Sequence, residues 1–403
     1  MGIENYQLWA GFLLGVGTVL WLGKKDLAKG MLTGSLVLGF LTLPVGIIGQ
    51  EIVNTLTDPS IVLLALAVGI IPIIGGLLEA SGFTGHLVQN LRIGKRAFVV
   101  FAPALLGMLP MPGGALFSAP LLKRVEKGIE NDVRVASNVW YRHILLLIYP
   151  LSPALMATSK MAGLELYTII PIMTIPFAFA LLIGYVFFLL KIKGKMEYQQ
   201  KFSARELSLP LVVILSAPIV DFLVRRLFEL TYLQSATVFA VLVSLSIGIE
   251  LTGIKGKKLM KVAKDSQPWK FAIIIFAMFI FLNIFEASGI PRLIAGMNLS
   301  FANLAVLVGF VLGFTTGRIQ LPFAIVVPIV VSSFGMDFVT PVVFAYMYFS
   351  MFLGYEISPV HPCVSVSLEY FKLDLKKYLR FMAFPILISI IIVYIAARAG
   401  LGI

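Results

Sequence analysis

The sequence predicts an all-α polytopic membrane protein with about ten transmembrane helices and two re-entrant hairpins, arranged as two inverted-topology repeats. Three observations predict this class: charged residues are rare, apolar stretches recur from end to end, and two short motifs occur twice at nearly one spacing. Of 403 residues, 59% are hydrophobic and 13% charged, whereas soluble proteins carry about 25% charged residues. Too little polar surface therefore remains to cover a water-soluble fold.

Ten apolar runs have the length needed to cross a bilayer as helices. They cover residues 6–22, 31–48, 59–79, 139–162, 166–190, 208–224, 234–250, 271–287, 339–361 and 380–398. The first run lacks the basic flank and the small-residue cleavage site of a signal peptide, so we interpret it as a span.

Two further apolar stretches, 97–122 and 301–334, are interrupted near their middles by Gly, Pro or polar residues. Helix-breaking backbone at membrane depth persists only where protein or a water-filled cavity surrounds it. We therefore predict that both stretches are hairpins that enter and leave the membrane on one side.

The loop charges agree with this assignment. With both stretches folded back, 25 of the 32 Lys and Arg residues fall in loops on one side, and five fall on the other. Such a bias places the basic side in the cytoplasm and both termini outside. The net charge of +12 is thereby explained, and no nucleic-acid partner is expected. Of the two remaining basic residues, Arg142 is expected to snorkel to the membrane surface.

Two motifs occur twice in the same order. Glu79–Gly82 (EASG) reappears at Glu286–Gly289, and Tyr149–Pro153 (YPLSP) reappears as Tyr355–Pro359 (YEISP). Because an odd number of crossings precedes the second copy, it must insert upside down, as in many secondary transporters. This predicts a first repeat over 1–192, a cytoplasmic linker over 193–207 and a second repeat over 208–403, with one hairpin in each repeat.

Four helix breaks are predicted to meet near the midplane of the membrane, at Leu109–Gly114, Tyr149–Pro153, Thr315–Gln320 and Tyr355–His361. Free N–H groups at such breaks attract anions, and free carbonyls bind cations. The first hairpin has no charge at its tip, whereas the second has Arg318. This asymmetry predicts that the two halves divide anion and cation binding.

Arg318 is the main candidate for binding a substrate carboxylate, because a guanidinium at membrane depth needs a partner and can grip a carboxylate with two parallel hydrogen bonds. The alternative is a structural role as partner of Glu356 or of a carbonyl end. The further candidates for substrate binding are Gly113, Gly114, Tyr149, Ser152, Thr315, Thr316, Gln320, Tyr355 and Ser358. For the two serines the competing interpretation is helix capping, and for the two tyrosines it is packing.

Glu356 and His361 are the candidates for ion coupling, since a carboxylate inside a helix break suits Na⁺ or a proton and an imidazole titrates near neutrality. The alternative is a pair that only locks the break. A single cysteine, Cys363, and three histidines argue against a metal centre. No cofactor is expected, and Na⁺ is a candidate transported ion.

Two other charged features have structural interpretations. Glu79 and Glu286 each end a span, and we expect each carboxylate to cap the short amphipathic segment that follows. Asp221 and Arg225 stand four residues apart, which is typical of an ion pair on one helix face.

The order of hairpin, broken span and last span, found twice, resembles the ion transporter superfamily, which includes citrate, dicarboxylate, gluconate and arsenite carriers. Residues 107–120 (GMLPMPGGALFSAP) and 354–371 (GYEISPVHPCVSVSLEYF) resemble the uncharacterised membrane family called domain of unknown function 401. The resemblance implies alternating access of the elevator type, a homodimer and organic anions moved with Na⁺ or H⁺. The Ser-Asn-Thr signature of the dicarboxylate branch is absent from the sequence, so its substrate does not carry over.

The resulting hypothesis is a secondary active transporter in the bilayer of a plasma membrane, which moves a small organic anion together with Na⁺ or H⁺. The alternative is a cation/proton antiporter in which Glu356 and His361 carry the ion and Arg318 is a fixed counter-charge. A membrane-embedded hydrolase would need a nucleophile and a base at the break. Only Ser358 and His361 hint at one, so no enzyme activity is expected.

Overall fold

The structure of the chain is a computed structural model, and it describes residues 3–108, 114–123, 129–194, 196, 198 and 201–401. Within these residues the regular elements are helices, and no strand occurs among them. In the same part of the chain, seven helices are long and apolar enough to cross a membrane, and three shorter helices are also apolar. The predicted class, an all-α polytopic membrane protein, is confirmed.

The first half of the described chain contains ten α-helices. They are α1 (Ile3–Gly23), α2 (Leu27–Thr42), α3 (Val45–Thr57), α4 (Pro59–Ala80), α5 (Phe83–Gln89), α6 (Lys95–Gly107), α7 (Gly114–Lys123), α8 (Asn131–Ile144), α9 (Pro153–Met161) and α10 (Leu166–Phe187). A 3-10 turn, Leu145–Leu147, extends α8, and another, Leu189–Lys191, follows α10.

The second half of the described chain also contains ten. They are α11 (Ala204–Leu227), α12 (Gln234–Thr252), α13 (Gly256–Asp265), α14 (Pro268–Ala287), α15 (Ile290–Ala295), α16 (Gly309–Thr316), α17 (Gln320–Phe334), α18 (Pro341–Ile357), α19 (Pro362–Phe371) and α20 (Leu375–Leu401). A π-helix, Ala302–Val308, runs into α16, and a 3-10 turn, Met336–Phe338, precedes α18.

The two halves contain the same kinds of helical element in the same order. Each has two apolar helices, a short helix, a long span, a very short helix, a hairpin pair, a broken span and a last long span. The short helices α3 and α13 have no counterpart among the predicted elements. This order is what a duplicated unit requires, and the opposite membrane orientation of the two units stays a prediction.

One predicted span was wrong, and one helix begins inside the predicted linker. The span predicted over 31–48 is split between α2 and α3, because Pro44 precedes α3 and Leu43 has extended backbone angles, φ −132° and ψ 150°. The residue before a proline is disfavoured in the helical region, so α2 ends there. The last residues of the linker predicted over 193–207 belong to α11, which Ser203 caps by accepting a hydrogen bond from the Glu206 N–H.

The repeated EASG motif forms a turn, but not through its glutamate. Ser81 Oγ accepts from the Phe83 N–H at 3.4 Å, and Ser288 Oγ accepts from the Ile290 N–H at 3.3 Å. Glu79 is exposed at the end of α4, as Glu286 is at the end of α14. The prediction that these carboxylates cap the next helix was wrong, because the serine two residues further on is nearer to the free N–H groups.

The helices of the two halves are interleaved rather than separate. The long span α4 packs against α12 and α14, and α14 also packs against α2. Near the breaks, α19 contacts α7 and α8, while α17 contacts α9. The two broken spans therefore touch each other, and each hairpin touches the broken span of the other half.

Glycines allow the hairpins to approach the broken spans closely. A Cβ atom on Gly107 of α6 would clash with the Arg142 carbonyl of α8, and one on Gly313 of α16 would clash with the Met351 carbonyl of α18. A Cβ atom on Gly354 of α18 would likewise clash with the Phe310 carbonyl of α16. Small residues at such contacts let helix backbones approach within a membrane.

Candidate functional site

Three elements bring a group of polar side chains together: the end of α8, the break between α16 and α17, and the break between α18 and α19. We call this group the break cluster. Its members are Arg142, His143, Arg318, Tyr355, Glu356, His361 and Cys363. Two of the four breaks predicted from the sequence, Thr315–Gln320 and Tyr355–His361, thus contribute to one cluster.

The hairpin break is short and is formed by a glycine. Gly317 ends α16 with a φ of +59°, and α17 begins at Gln320. Thr316 Oγ1 accepts from the Arg318 N–H at 3.2 Å, which holds the turn. A Cβ on Gly317 would lie 2.9 Å from the His361 backbone nitrogen. The hairpin tip therefore rests directly on the broken span, and Arg318 is half-buried there.

Glu356 is fully buried and lies beside a histidine of the other half. His143 Nδ1 is 3.1 Å from Glu356 Oε1, and the exposed fractions of the two side chains are 6% and 0%. The nitrogen stands off the line of a well-formed hydrogen bond, so both carboxylate oxygens remain without one. A buried carboxylate in this condition needs a cation or a proton close by.

His361 is equally enclosed, with 1% of its surface exposed. Its Nδ1 lies 3.2 Å from the Tyr355 carbonyl, and its ring stacks on the Tyr355 ring with centroids 3.9 Å apart. The His143 ring is 4.6 Å away, centroid to centroid. Because a carbonyl only accepts, Nδ1 carries a proton, and Nε2 is a buried acceptor with no hydrogen bond.

Two guanidinium groups surround these side chains. Arg142, with 5% exposed, reaches the Cys363 sulfur, and one of its terminal nitrogens, Nη1, has no hydrogen bond. Arg142 and Arg318 both act electrostatically on Tyr355 and His361. The expectation that Arg142 snorkels to the membrane surface was wrong, because α8 is buried all round from Val133 to Ile144.

The two serines of the repeated motif both bind backbone groups. Ser152 caps α9 by accepting from the Leu155 N–H at 3.4 Å. Ser358 Oγ donates to the Phe314 carbonyl at 2.6 Å, which joins the broken span to the end of α16. These contacts match the capping interpretation. The Ser358 hydroxyl is directed at the hairpin and not at His361.

The remaining predicted site residues are dispersed. The Tyr149 hydroxyl points to the Ile214 carbonyl of α11 at 3.5 Å, away from the cluster that contains Tyr355. Thr315 is exposed and bonds to the Val311 carbonyl of its own helix at 2.9 Å. Gln320 is half-buried at the start of α17. Gly113 lies outside the described residues, as does most of its break, and Gly114 begins α7.

His143, Arg142 and Cys363 were not among the predicted site residues. A usable signal was present, since Arg142 and His143 are adjacent ionisable residues inside an apolar run, a few residues before the predicted break at Tyr149. Ionisable residues within a membrane segment are functional candidates by default. Cys363 lies two positions after His361, at the start of α19. The fold brings the ligand atoms of both residues close to His143 of α8, which the sequence alone does not indicate.

Asp221 and Arg225 form the predicted pair, with Arg225 Nε 3.1 Å from Asp221 Oδ2. The structure adds two partners, because Tyr167 donates to the same carboxylate at 2.7 Å and Thr237 donates at 2.8 Å. Asp221 is fully buried. This network links α10, α11 and α12, and it lies apart from the break cluster.

Together, the helical spans, paired hairpins and broken spans define a membrane protein with the fold of a transporter. The structure of the YdaH transporter from Alcanivorax borkumensis is similar, with a TM-score of 0.63 over 97% of this chain and 98% of that one, at 13% sequence identity. No curated protein matches the chain in sequence.

A family model matches nearly the whole chain. The model described as protein of unknown function (DUF401) matches residues 12–399, and the chain belongs to this family. The resemblance predicted from residues 107–120 and 354–371 is confirmed.

Proposed function

We propose that the chain is a secondary active transporter that moves a small organic anion, coupled to Na⁺ or H⁺, by alternating access. The observation that carries this proposal is the break cluster itself. Two guanidinium groups, those of the buried Arg142 and the half-buried Arg318, lie in one cluster with the buried carboxylate of Glu356. Opposite charges are thus held together where a hairpin and two broken spans meet.

The guanidinium groups supply the anion side of the site. Arg318 stands on the hairpin tip, half-buried, where a substrate carboxylate can reach it. A planar guanidinium binds a carboxylate through two parallel hydrogen bonds, which orients the anion as well as attracting it. Arg142 provides a second, deeper positive charge with an unused Nη1 donor.

Glu356 supplies the cation side. An anion bound at Arg318 adds a second negative charge to the cluster that contains Glu356. This charge strengthens the binding of a cation at Glu356, and by linkage a bound cation strengthens the binding of the anion to the same degree. Electrostatics alone therefore supports symport, with His143 as the nearest neighbour of the carboxylate.

The first prediction tests Arg318 directly. In proteoliposomes on a solid-supported membrane, a panel of organic anions with and without Na⁺ should identify a substrate for the wild type. Arg318→Ala should then abolish the anion-dependent current, because the anion loses its charged partner. The control is Arg292→Ala, which removes an exposed arginine from α15 and should leave the current unchanged. A wild-type current in Arg318→Ala would remove Arg318 from the substrate site.

A cation/proton antiporter is the second candidate, and the contact between His143 and Glu356 at 3.1 Å favours it. In that case Na⁺ or H⁺ flux should occur with no organic anion present.

We further propose a homodimer in the plasma membrane with both termini outside. Mass photometry of the purified protein in nanodiscs tests the dimer by its mass.

A further inference from the structure

Three side chains with metal-binding atoms converge inside the break cluster. His143, His361 and Cys363 each offer one such atom, and all three atoms lie within 4.8 Å of one another. Both imidazoles are buried, and Cys363 is half-buried. In the sequence the two histidines are far apart, so only the packing of α19 against α8 brings this set together.

Unused polar atoms point to a missing ligand at this place. The Nε2 atom of His361 is buried and without a hydrogen bond, although its Nδ1 is engaged by the Tyr355 carbonyl. This is the arrangement of a metal-binding histidine, in which a backbone carbonyl fixes one nitrogen and the other presents its lone pair. The Nδ1 of His143 and both oxygens of Glu356 are also without a hydrogen bond.

We propose that His143, His361 and Cys363 bind a transition-metal ion of the Zn²⁺ class, with Glu356 as orienting partner of His143. Two nitrogens and one sulfur select a borderline-soft ion over Na⁺, Mg²⁺ or Ca²⁺, which prefer oxygen. The proposal concerns binding by the purified protein and does not rest on the transport function.

The dimensions require a small contraction. Ligand atoms around a tetrahedral zinc ion, each ~2.0–2.3 Å from the metal, are about 3.3–3.8 Å apart. The widest separation in the cluster, up to 4.8 Å, must shorten by about 1 Å. Rotation of the His143 side chain, which stands on α8, toward His361 and Cys363 at the start of α19 would supply such a change.

The charges of the protein groups around the ion cancel one another, whereas the charge of the ion itself remains. Arg142 and Arg318 oppose a dication, while the Glu356 carboxylate and the Cys363 sulfur offset them. Metal binding converts the Cys363 thiol into a metal-bound thiolate and releases its proton to solvent. Four charged groups around the ion, two of each sign, then leave the ion's own charge as the net charge of the site.

The single cysteine makes the test specific. Purified protein in nanodiscs is titrated with Zn²⁺, and with Co²⁺ as a spectroscopic substitute. We expect one ion per chain, a cobalt–thiolate charge-transfer band, and at least a ten-fold slower reaction of Cys363 with maleimide when Zn²⁺ is present. An unchanged maleimide rate in saturating Zn²⁺ would overturn the proposal, whatever the variants show.

Variants assign the ligands. Cys363→Ser and His361→Gln should abolish the metal-dependent rise in thermal midpoint, and Glu356→Gln should lower metal affinity by about 10–100-fold, the usual loss for an orienting partner. The matched control is His86→Gln, which changes the remaining histidine, on α5, and should bind as the wild type does. Binding that survives both Cys363→Ser and His361→Gln would place the ion elsewhere and contradict the assignment.

Discussion

The two broken spans share the motif Y-x-[LI]-S-P, yet they carry different chemistry. At the first break, Ser152 caps its own helix, and the Tyr149 hydroxyl points away to α11. At the second, Ser358 binds the hairpin carbonyl of Phe314, and Tyr355 stacks on His361. The Ser-Pro pair starts the next helix only at the first break, because at the second break α19 begins at Pro362.

The difference extends to the ionisable residues. At the repeat spacing of 206, three polar residues of the second half replace apolar residues of the first. The replacements are Glu356 for Pro150, His361 for Leu155 and Cys363 for Ala157. In the opposite direction, Arg142 and His143 of α8 stand where α18 has Tyr348 and Phe349. Each half therefore supplies charged, imidazole or thiol groups where its counterpart has none of these, so neither half forms the site alone.

The largest expected effect concerns the membrane topology, on which the comparison of the halves depends. In a Cys363→Ser background, cysteines introduced at Arg96 and Lys123 flank the first hairpin and should react with a membrane-impermeant maleimide from the same side, because the hairpin folds back. Single cysteines at Lys25 and Arg226, which are predicted to lie on the cytoplasmic and the outside face, serve as references for the two sides. Labelling of positions 96 and 123 from opposite sides would contradict the re-entrant hairpin.

Glu356→Gln should have the next largest effect. It keeps the shape of the side chain but removes the only acidic group of the break cluster within the described residues, leaving two guanidiniums uncompensated. We expect coupled transport to fall by about 100-fold, the scale of ~3 kcal/mol for a lost charged interaction. Glu286→Gln changes an exposed glutamate and should transport normally. Full cation coupling in Glu356→Gln would assign the coupling ion to another site.

Tight packing between α16 and α18 should be sensitive to one added methyl group. Gly354→Ala places a Cβ against Phe310 and Phe314 of the hairpin, and we expect a loss of about 1–3 kcal/mol, typical of overpacking. A lower thermal midpoint in detergent measures this loss. Gly49→Ala in α3, where a Cβ meets nothing within 4 Å, is the control. A midpoint equal to that of the wild type would mean that the helices separate easily.

The smallest expected effects distinguish the two serines. Ser152→Ala should lower stability by about 1 kcal/mol through loss of a helix cap, with transport retained. Ser358→Ala leaves the Phe314 carbonyl without its partner, at about 1–3 kcal/mol, and it also releases the hairpin from the broken span. We therefore expect slower transport only for Ser358→Ala. Equal transport rates in both variants would show that the link to the hairpin is not used.

Local signals in the sequence sufficed for the positions of most helices and breaks. Apolar length located the spans, and Gly and Pro located the hairpin tip at Gly317 and the broken spans, because these residues act on their own backbone. The same signals misplaced the end of α2, where Pro44 was outweighed by a continuous apolar run. They also missed α3, whose start was included in the span predicted over 31–48, and α13, which is too polar to be recognised as a span.

The composition of the site was decided by the tertiary structure. Arg318, Glu356 and His361 were found from the sequence since an ionisable residue in an apolar run is conspicuous by itself. That His143 contacts Glu356, and that Arg142 is buried instead of at the surface, depends on the packing of α8 against α18 and α19. Contacts between residues more than 200 positions apart leave no local pattern, because they arise only when two separately formed helices pack together.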